Sequence, residues 1–282
     1  MTITNYQDFG FNSNEFLGNL DTVPYCQFLN ASSQNYGIAI TNANAELAEL
    51  ELTKGWSIIE HEFSDGTREN LFVTKEPRLL VLNRSQPLMS DEFETIPYNK
   101  AKFKSGNYKA FSYLVVWFLD KQNKAISTLP FRLKCSGYAG LTFLKNYSYY
   151  NNSNSFTKKF LQVYKNLTGD EASNKNELFY AHAVYHPILT RKKATSSING
   201  QSSFAVMTDS FIEPNESNFS EFIIKNGSEL SHKIKEFVSS TKPWLKTESV
   251  QLEDSKTPPQ QVIEPSSQTD VEAGLVPEPI MF

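Results

Sequence analysis

The sequence lacks the features of exported and membrane-spanning proteins. Its 282 residues include only two cysteines, Cys26 and Cys135, too few for a disulfide scaffold or a zinc site of four thiolates. No stretch approaches the roughly 18 consecutive apolar residues of a membrane-spanning helix, and residues 1–20 show no basic start followed by an apolar run. We therefore expect a cytoplasmic protein with reduced thiols and no membrane partner.

Recognisable catalytic motifs are also missing. There is no G-x-x-x-x-G-K-[ST] loop, no G-x-G-x-x-G after a strand and no G-x-S-x-G elbow. His182 and His186 have the spacing of a helical metal site, but their segment is typical of a strand, which would hold the rings about 13 Å apart. We therefore predict no metal, no cofactor and no enzymatic activity. An enzyme would need both histidines and nearby acids to converge in a pocket.

Aromatic residues are abundant, with 21 Phe and 13 Tyr, and they predict a packed core. Alternating or apolar runs indicate short strands, and other runs have helical spacing. The predicted strands are residues 23–30, 36–41, 56–63, 70–73, 77–84, 111–119, 125–135, 177–190 and 202–212, and the predicted helices are 45–54, 138–149, 156–167 and 218–239. This pattern predicts an α+β fold, mainly an antiparallel β-barrel resembling the oligonucleotide/oligosaccharide-binding (OB) type, with flanking helices.

The clearest hairpin joins residues 111–119 to 125–135. Its first arm is apolar on both faces, which indicates a central strand. In the second arm Arg132 and Lys134 alternate with apolar residues, so both cations should project to the face opposite the core.

The two ends of the chain differ from the body. Residues 1–21 are predicted to be a flexible arm, 22–244 the folded body and 245–282 a disordered tail containing five prolines. The tail carries seven acids and two lysines, a net charge of −5, whereas the whole chain carries −4. The body is therefore close to neutral, and the overall sign does not exclude a polyanionic partner.

Residues 98–111 interleave lysines with aromatic residues and contain no acid. Single-stranded nucleic acid requires this combination, because cations follow the phosphates while rings stack on the bases. The alternative is a solvated hairpin whose rings fold back onto the body. The predicted contact residues are Lys100, Lys102, Lys104, Lys109, Arg132 and Lys134 for phosphates and Tyr98, Phe103, Tyr108 and Tyr138 for bases.

The end of the chain reads Pro-Glu-Pro-Ile-Met-Phe after a proline-rich acidic stretch. This architecture resembles bacterial and phage single-stranded-DNA-binding proteins, which have an OB-type barrel, a low-complexity linker and an acidic tail ending in Phe. The resemblance implies that Ile280, Met281 and Phe282 recruit replication or repair proteins. It covers the last 38 residues, and the tail departs from the family by being less acidic and by having Met281 where Pro is usual. The body is also similar to cyanobacterial proteins of unknown function, a likeness that supplies no mechanism.

Together these features predict a non-enzymatic protein that coats single-stranded DNA and recruits replication or recombination partners. A structural or adaptor protein of a phage or mobile element is the alternative, since the same aromatic surface could meet another protein. The sequence does not distinguish a preference for DNA from a preference for RNA, and it does not show whether the chain forms homo-oligomers.

Overall fold

The computed structural model describes residues 23–30, 35–63, 66–104, 106, 108–148, 152–170, 175–195 and 202–245. The strands in this part are β1 (Tyr25–Asn30), β2 (Tyr36–Thr41), β3 (Trp56–Glu62), β4 (Arg68–Thr74), β5 (Arg78–Arg84), β6 (Leu88–Ser90), β7 (Thr95–Pro97), β8 (Lys109–Leu119), β9 (Phe131–Ser136), β10 (Val184–Tyr185), β11 (Pro187–Thr195) and β12 (Ser202–Phe211). The helices are α1 (Asn42–Leu47), α2 (Lys100–Phe103), α3 (Gly137–Tyr147), α4 (Phe156–Thr168), α5 (Glu177–Ala181) and α6 (Glu229–Ser240), with 3₁₀ helices at Phe219–Glu221 and Lys242–Leu245. The predicted arm, at residues 1–21, and most of the predicted tail lie outside the described residues.

One large sheet organises the molecule. Its strand order is β10–β5–β8–β9–β1–β2–β4–β3, and β6 pairs with β7 and with the beginning of β8. The pairing of β1 with β9 is parallel and the others are antiparallel. β8 has buried side chains on both faces, with Val116 and Phe118 on one and Val115 and Trp117 on the other. The predictions of an α+β fold and of a central strand at residues 111–119 are confirmed.

The predicted closed barrel is wrong, because the sheet is open. β10 and β3 stand at opposite ends of the strand order, and no pairing joins them within the described ranges. A sequence of many short strands separated by turns is common to both architectures. Closure depends instead on strand tilt and stagger, which the hydrophobic pattern does not encode.

One face of the sheet carries the main core. Side chains of β2, β8 and β9 pack there against α3, α4 and the separate two-stranded β11–β12 ribbon. Gly140 allows α3 to lie close to the strand it follows, since a Cβ at this position would be 2.3 Å from the backbone carbon of Cys135. α3 therefore covers the face opposite Arg132 and Lys134.

The other face is covered by α5, α6 and the 3₁₀ helix Lys242–Leu245, over the half formed by β5 and β8. Trp117 packs edge-on against Phe237 of α6 with ring centroids 4.9 Å apart. Asn83 of β5 fixes the end of α6, because its side-chain amide donates to the Val238 carbonyl at 2.9 Å and to Thr241 Oγ1 at 2.8 Å. On the β9 side of this face, Lys134 is exposed and Arg132 half-buried.

Several element boundaries differ from those predicted. The predicted strand at 177–190 begins as α5, because the Asn176 side chain accepts from the Phe179 amide at 3.0 Å and caps a helical turn. The predicted helix at 218–239 begins only at Glu229, where Ser228 is the N-cap. Of the predicted strand at 125–135, regular pairing begins at Phe131. Local capping decides the two helix boundaries where the apolar pattern is ambiguous.

Candidate nucleic-acid interface

The register of β8 against β9 places cations beside rings. Tyr113 lies opposite Lys134, and Val115 lies opposite Arg132. Paired residues project to the same side of a sheet, so both cations share a face with the odd-numbered residues of β8. The intervening residues of β9 are buried on the other side, which confirms the predicted alternation.

Two rings of β8 support the two cations of β9. The guanidinium carbon of Arg132 is 4.9 Å from the Tyr113 ring centroid, and Lys134 Nζ is 4.5 Å from the Phe111 centroid. Both distances lie within the range of cation–π attraction. Phe111 is buried and Tyr113 is half-buried. These rings therefore position the charged groups from beneath, and they do not form an open platform for bases.

The charges that act on Lys134 are those of other cations. Lys134 is exposed as a residue, but its ammonium lies against the Phe111 ring, and partial loss of solvent there lowers its pKa; the nearby charges of Arg132 and Lys109 lower it further. In the described part of the chain, neither Arg132 nor Lys134 forms an ion pair with an acid. Cations that lie close together repel each other, which costs free energy, and a bound anion relieves this repulsion. We call this group the β8–β9 patch; it comprises Lys109, Phe111, Tyr113, Arg132 and Lys134.

Tyr25 borders the β8–β9 patch on β1. It lies opposite Arg132 in the parallel pairing of β1 with β9. Burial, with the nearby charge of Glu69, raises the pKa of its hydroxyl, whereas a hydrogen bond with the Asn44 side chain and the charge of Arg132 lower it.

Sequence reasoning missed Tyr25, Phe111 and Tyr113 as site residues. Phe111 and Tyr113 are two residues apart in the predicted strand at 111–119, which places both rings on one face, but only the pairing register shows which cation each ring meets.

The lysine-rich segment before β8 has a different environment. Lys102 Nζ is 3.1 Å from Glu94 Oε1, and the Tyr108 hydroxyl donates to the same oxygen at 2.5 Å. This carboxylate raises the pKa of Tyr108 to about 12. In turn, the Tyr108 hydroxyl and then Lys102 lower the pKa of Glu94. The segment contains no acid in sequence, but the fold supplies one from the β6–β7 turn.

The predicted stacking residues of that segment are also occupied. The rings of Tyr98 and Phe103 pack against each other with centroids 5.5 Å apart. Between them, Asn99 caps α2 by accepting from the backbone amides of Ala101 and Lys102. Lys100 and Lys104 are exposed at the two ends of this short helix. The rings of Tyr98 and Phe103 are therefore half-buried against each other.

Tyr138 does not join the β8–β9 patch. It lies in the first turn of α3, and the buried residues of α3 pack on the opposite face of the sheet.

The basic run at 191–193 lies on the β11–β12 ribbon, where Lys192 pairs with Asp209 at 2.7 Å and Arg191 stacks on Phe204 at 3.6 Å. Of the ten predicted contact residues, the structure therefore brings together Lys109, Arg132 and Lys134.

The two histidines occupy separate environments. His182 is held between the Leu178 carbonyl at 2.7 Å and Ser231 Oγ at 2.9 Å. Burial, with the nearby charges of Arg78 and Lys121, lowers the pKa of His186 to about 4. The described residues include no group of three or more His, Cys, Asp or Glu side chains that could hold a metal ion.

The cysteines are buried and unbonded. Burial raises the pKa of Cys135 to about 12 and that of Cys26 well above its ordinary value. Neither thiol is therefore set up as a thiolate nucleophile.

Within the described ranges, no helix is long and apolar enough to cross a membrane. The predicted partner-binding residues Ile280, Met281 and Phe282 lie outside these ranges.

Comparison with known proteins places the chain in one family. No curated protein and no solved structure matches it. The model of a family described as a domain of unknown function, DUF5895, matches residues 21–257. This match includes the whole sheet and the β8–β9 patch, and it covers well over half of the sequence. The chain therefore belongs to the DUF5895 family.

Proposed function

We propose that this protein binds single-stranded nucleic acid, and single-stranded DNA in the first place, through the β8–β9 patch. The observation that carries the proposal is the placement of Arg132 and Lys134 on one face of β9, each resting on a ring of β8 and neither paired with an acid in the described part of the chain. Arg132 and Lys134 are alternate residues of one strand, so their Cα atoms are about 6.6 Å apart. A flexible phosphodiester chain can place neighbouring phosphates on both.

The contacts would be of two kinds. Lys109 and Lys134 neutralise phosphates as point charges, and Arg132 offers a planar donor group that binds a phosphate in bidentate fashion. The inner side of the Arg132 guanidinium faces Tyr113, so a base would stack on its outer side. Binding of this type releases counterions and is largely insensitive to sequence.

Fluorescence anisotropy of the full chain tests the proposal. The probe is a labelled oligo-dT, with a duplex of the same length for comparison, at two salt concentrations. We expect binding of oligo-dT that weakens steeply with salt and exceeds binding of the duplex. Absent or salt-independent binding would contradict the proposal.

The acidic tail is part of the same proposal. Residues 245–282 carry a net charge of −5, so the tail would compete weakly with nucleic acid for the β8–β9 patch. When nucleic acid displaces it, Ile280, Met281 and Phe282 would be released to recruit replication or repair proteins. Removal of residues 245–282 should leave the affinity for oligo-dT equal or tighter. A weaker affinity after truncation would rule out this competition.

A further inference from the structure

The turn between β6 and β7 presents a large apolar side chain to solvent. Phe93 is 82% exposed, more than any other large hydrophobic residue in the described part of the chain. Three acids surround it, Asp91, Glu92 and Glu94. We call residues 91–94 the acidic turn. An isolated ring that is so exposed contributes nothing to the core of its own chain.

The acidic turn is held rigid. Asp91 Oδ1 accepts from the backbone amides of Phe93 at 2.9 Å and Glu94 at 2.8 Å. The Asp91 amide donates to the Glu94 carbonyl at 3.1 Å. The Glu94 side chain is fixed by Lys102 and Tyr108. A ring presented on a fixed backbone loses little conformational entropy on binding, so it is suited to act as an anchor.

A complementary cavity lies on another part of the molecule. An open cleft of about 430 Å³ lies beside α5, with one lining residue from α4 and one from α6. Its walls include half-buried apolar side chains, namely Tyr164, Leu178, Phe179 and Ile223. This volume is within the range of sites that hold small ligands, and it accommodates a phenyl ring with its flanking backbone. We call this cavity the α5–α6 cleft.

The charged residue that lines the α5–α6 cleft is a cation, Lys235, which bonds to Asn226 Oδ1 at 2.9 Å. An adjoining cleft that shares Leu178 is lined by Lys242, by the acid Glu177 and by Lys175, which is paired with Asp170. The charge available to an acidic partner at the α5–α6 cleft is therefore that of Lys235. The carboxylates of Asp91 and Glu94 have lowered pKa values, Asp91 mainly through backbone amides and Glu94 mainly through Tyr108, so the turn is anionic at neutral pH.

We propose that the acidic turn of one copy of this protein docks into the α5–α6 cleft of a second copy. Phe93 fills the apolar cavity, and Glu92 lies beside Lys235. The two surfaces are different, so the interface is heterologous and leaves one turn and one cleft unused at the ends of the assembly. Copies would therefore add head to tail. This inference does not depend on nucleic-acid binding, although such an assembly would make binding along a strand cooperative.

Sedimentation velocity of the full chain over a concentration series tests the inference. We expect wild-type protein to associate reversibly, and Phe93→Ala to weaken the association about tenfold or more. Phe204→Ala is the matched control, because Phe204 is also exposed, at 44%, but lies on the β11–β12 ribbon. Both substitutions are at exposed positions, so an unchanged circular dichroism spectrum is expected. Wild-type protein that stays monomeric up to its solubility limit would overturn the inference.

A mixing experiment separates this interface from any other. Phe93→Ala retains an intact cleft, whereas Lys235→Glu retains an intact turn. At a concentration where wild type is largely associated and a tenfold weaker interface is not, each variant alone should be mostly monomeric, and an equimolar mixture should form dimers that grow no further. A mixture that remains monomeric while wild type associates would overturn the inference, as would association of Phe93→Ala as strong as that of wild type. Glu92→Lys combined with Lys235→Glu should restore association, because it exchanges the two charges.

Discussion

Two basic regions lie next to each other in this molecule, and they differ in how their charge is balanced. In the segment at 98–108 the lysines are neighbours in sequence, and Lys102 is paired with Glu94. In the β8–β9 patch the cations come from two strands, and Arg132 and Lys134 rest on rings with no acid bonded to them in the described residues. Lys102, in the segment where lysines are dense along the chain, is thus compensated by an acid, whereas Arg132 and Lys134 remain available to an anion.

The largest expected effect comes from reversing one charge in each region. Lys134→Glu removes a phosphate contact and adds repulsion, so the affinity for oligo-dT at low salt should fall about tenfold or more. Lys104→Glu, an exposed substitution in the lysine-rich segment, should lower it less than about threefold. Anisotropy titrations of both variants measure the difference. Equal losses would remove the distinction between the two regions.

A smaller effect is expected from the ring beneath Arg132. Tyr113→Ala removes a cation–π contact of about 0.5–1 kcal/mol and lets the guanidinium move, so binding should weaken about two- to fivefold. Tyr113→Phe keeps the ring and should bind like wild type. If the two variants bind equally, Tyr113 does not position Arg132. Thermal denaturation of both variants controls for a general loss of stability.

A third expected effect concerns pH. The pKa of Lys134 is lowered by burial and by Arg132 and Lys109, so its ammonium loses its proton at a lower pH than an ordinary lysine does. Affinity for oligo-dT should therefore begin to fall earlier on the alkaline side than it does for Lys134→Arg, whose guanidinium stays charged. Anisotropy as a function of pH measures this. Superimposable profiles for the two proteins would exclude a titrating Lys134 from the contact.

The smallest expected effect on binding comes from the acid that balances the lysine-rich segment. Glu94→Gln removes the carboxylate that raises the pKa of Tyr108 to about 12, so this pKa should fall toward the ordinary value for tyrosine. Ultraviolet absorption of the phenolate during an alkaline titration reports the shift, with Tyr108→Phe identifying the signal. Binding of oligo-dT should tighten less than about twofold. An unchanged titration would show that Glu94 does not hold Tyr108 in solution.

The sequence predicted those features that depend on local pattern. The alternation around Arg132 and Lys134 correctly placed both on the face opposite the core, and the run at 111–119 correctly indicated the central strand. The acid at Glu94 was not expected, because it reaches the lysine-rich segment through the pairing of β6 with β7 and β8. Long-range pairing of this kind leaves no signal within a local window of sequence.

The overall architecture was predicted only in part. Strand positions follow from apolar runs, but the open sheet and the parallel contact between β1 and β9 follow from how distant segments pack. Likewise, α5 forms within a run of apolar residues that suits a strand, because Asn176 caps it. The α5–α6 cleft could not be predicted, since its walls come from four separate parts of the chain.

The salt dependence of oligo-dT binding tests the central claim most directly. It should be measured for wild type, for Arg132→Ala with Lys134→Ala, and for the charge-matched control Lys158→Ala with Lys225→Ala, both exposed lysines outside the β8–β9 patch. Each phosphate contact contributes about 0.7 to the slope of log affinity against log salt on a single strand. We predict that the first double variant makes this negative slope shallower by about 1.4, and that the control leaves the slope unchanged. An equal slope in all three proteins would contradict the assignment of the β8–β9 patch as the binding site.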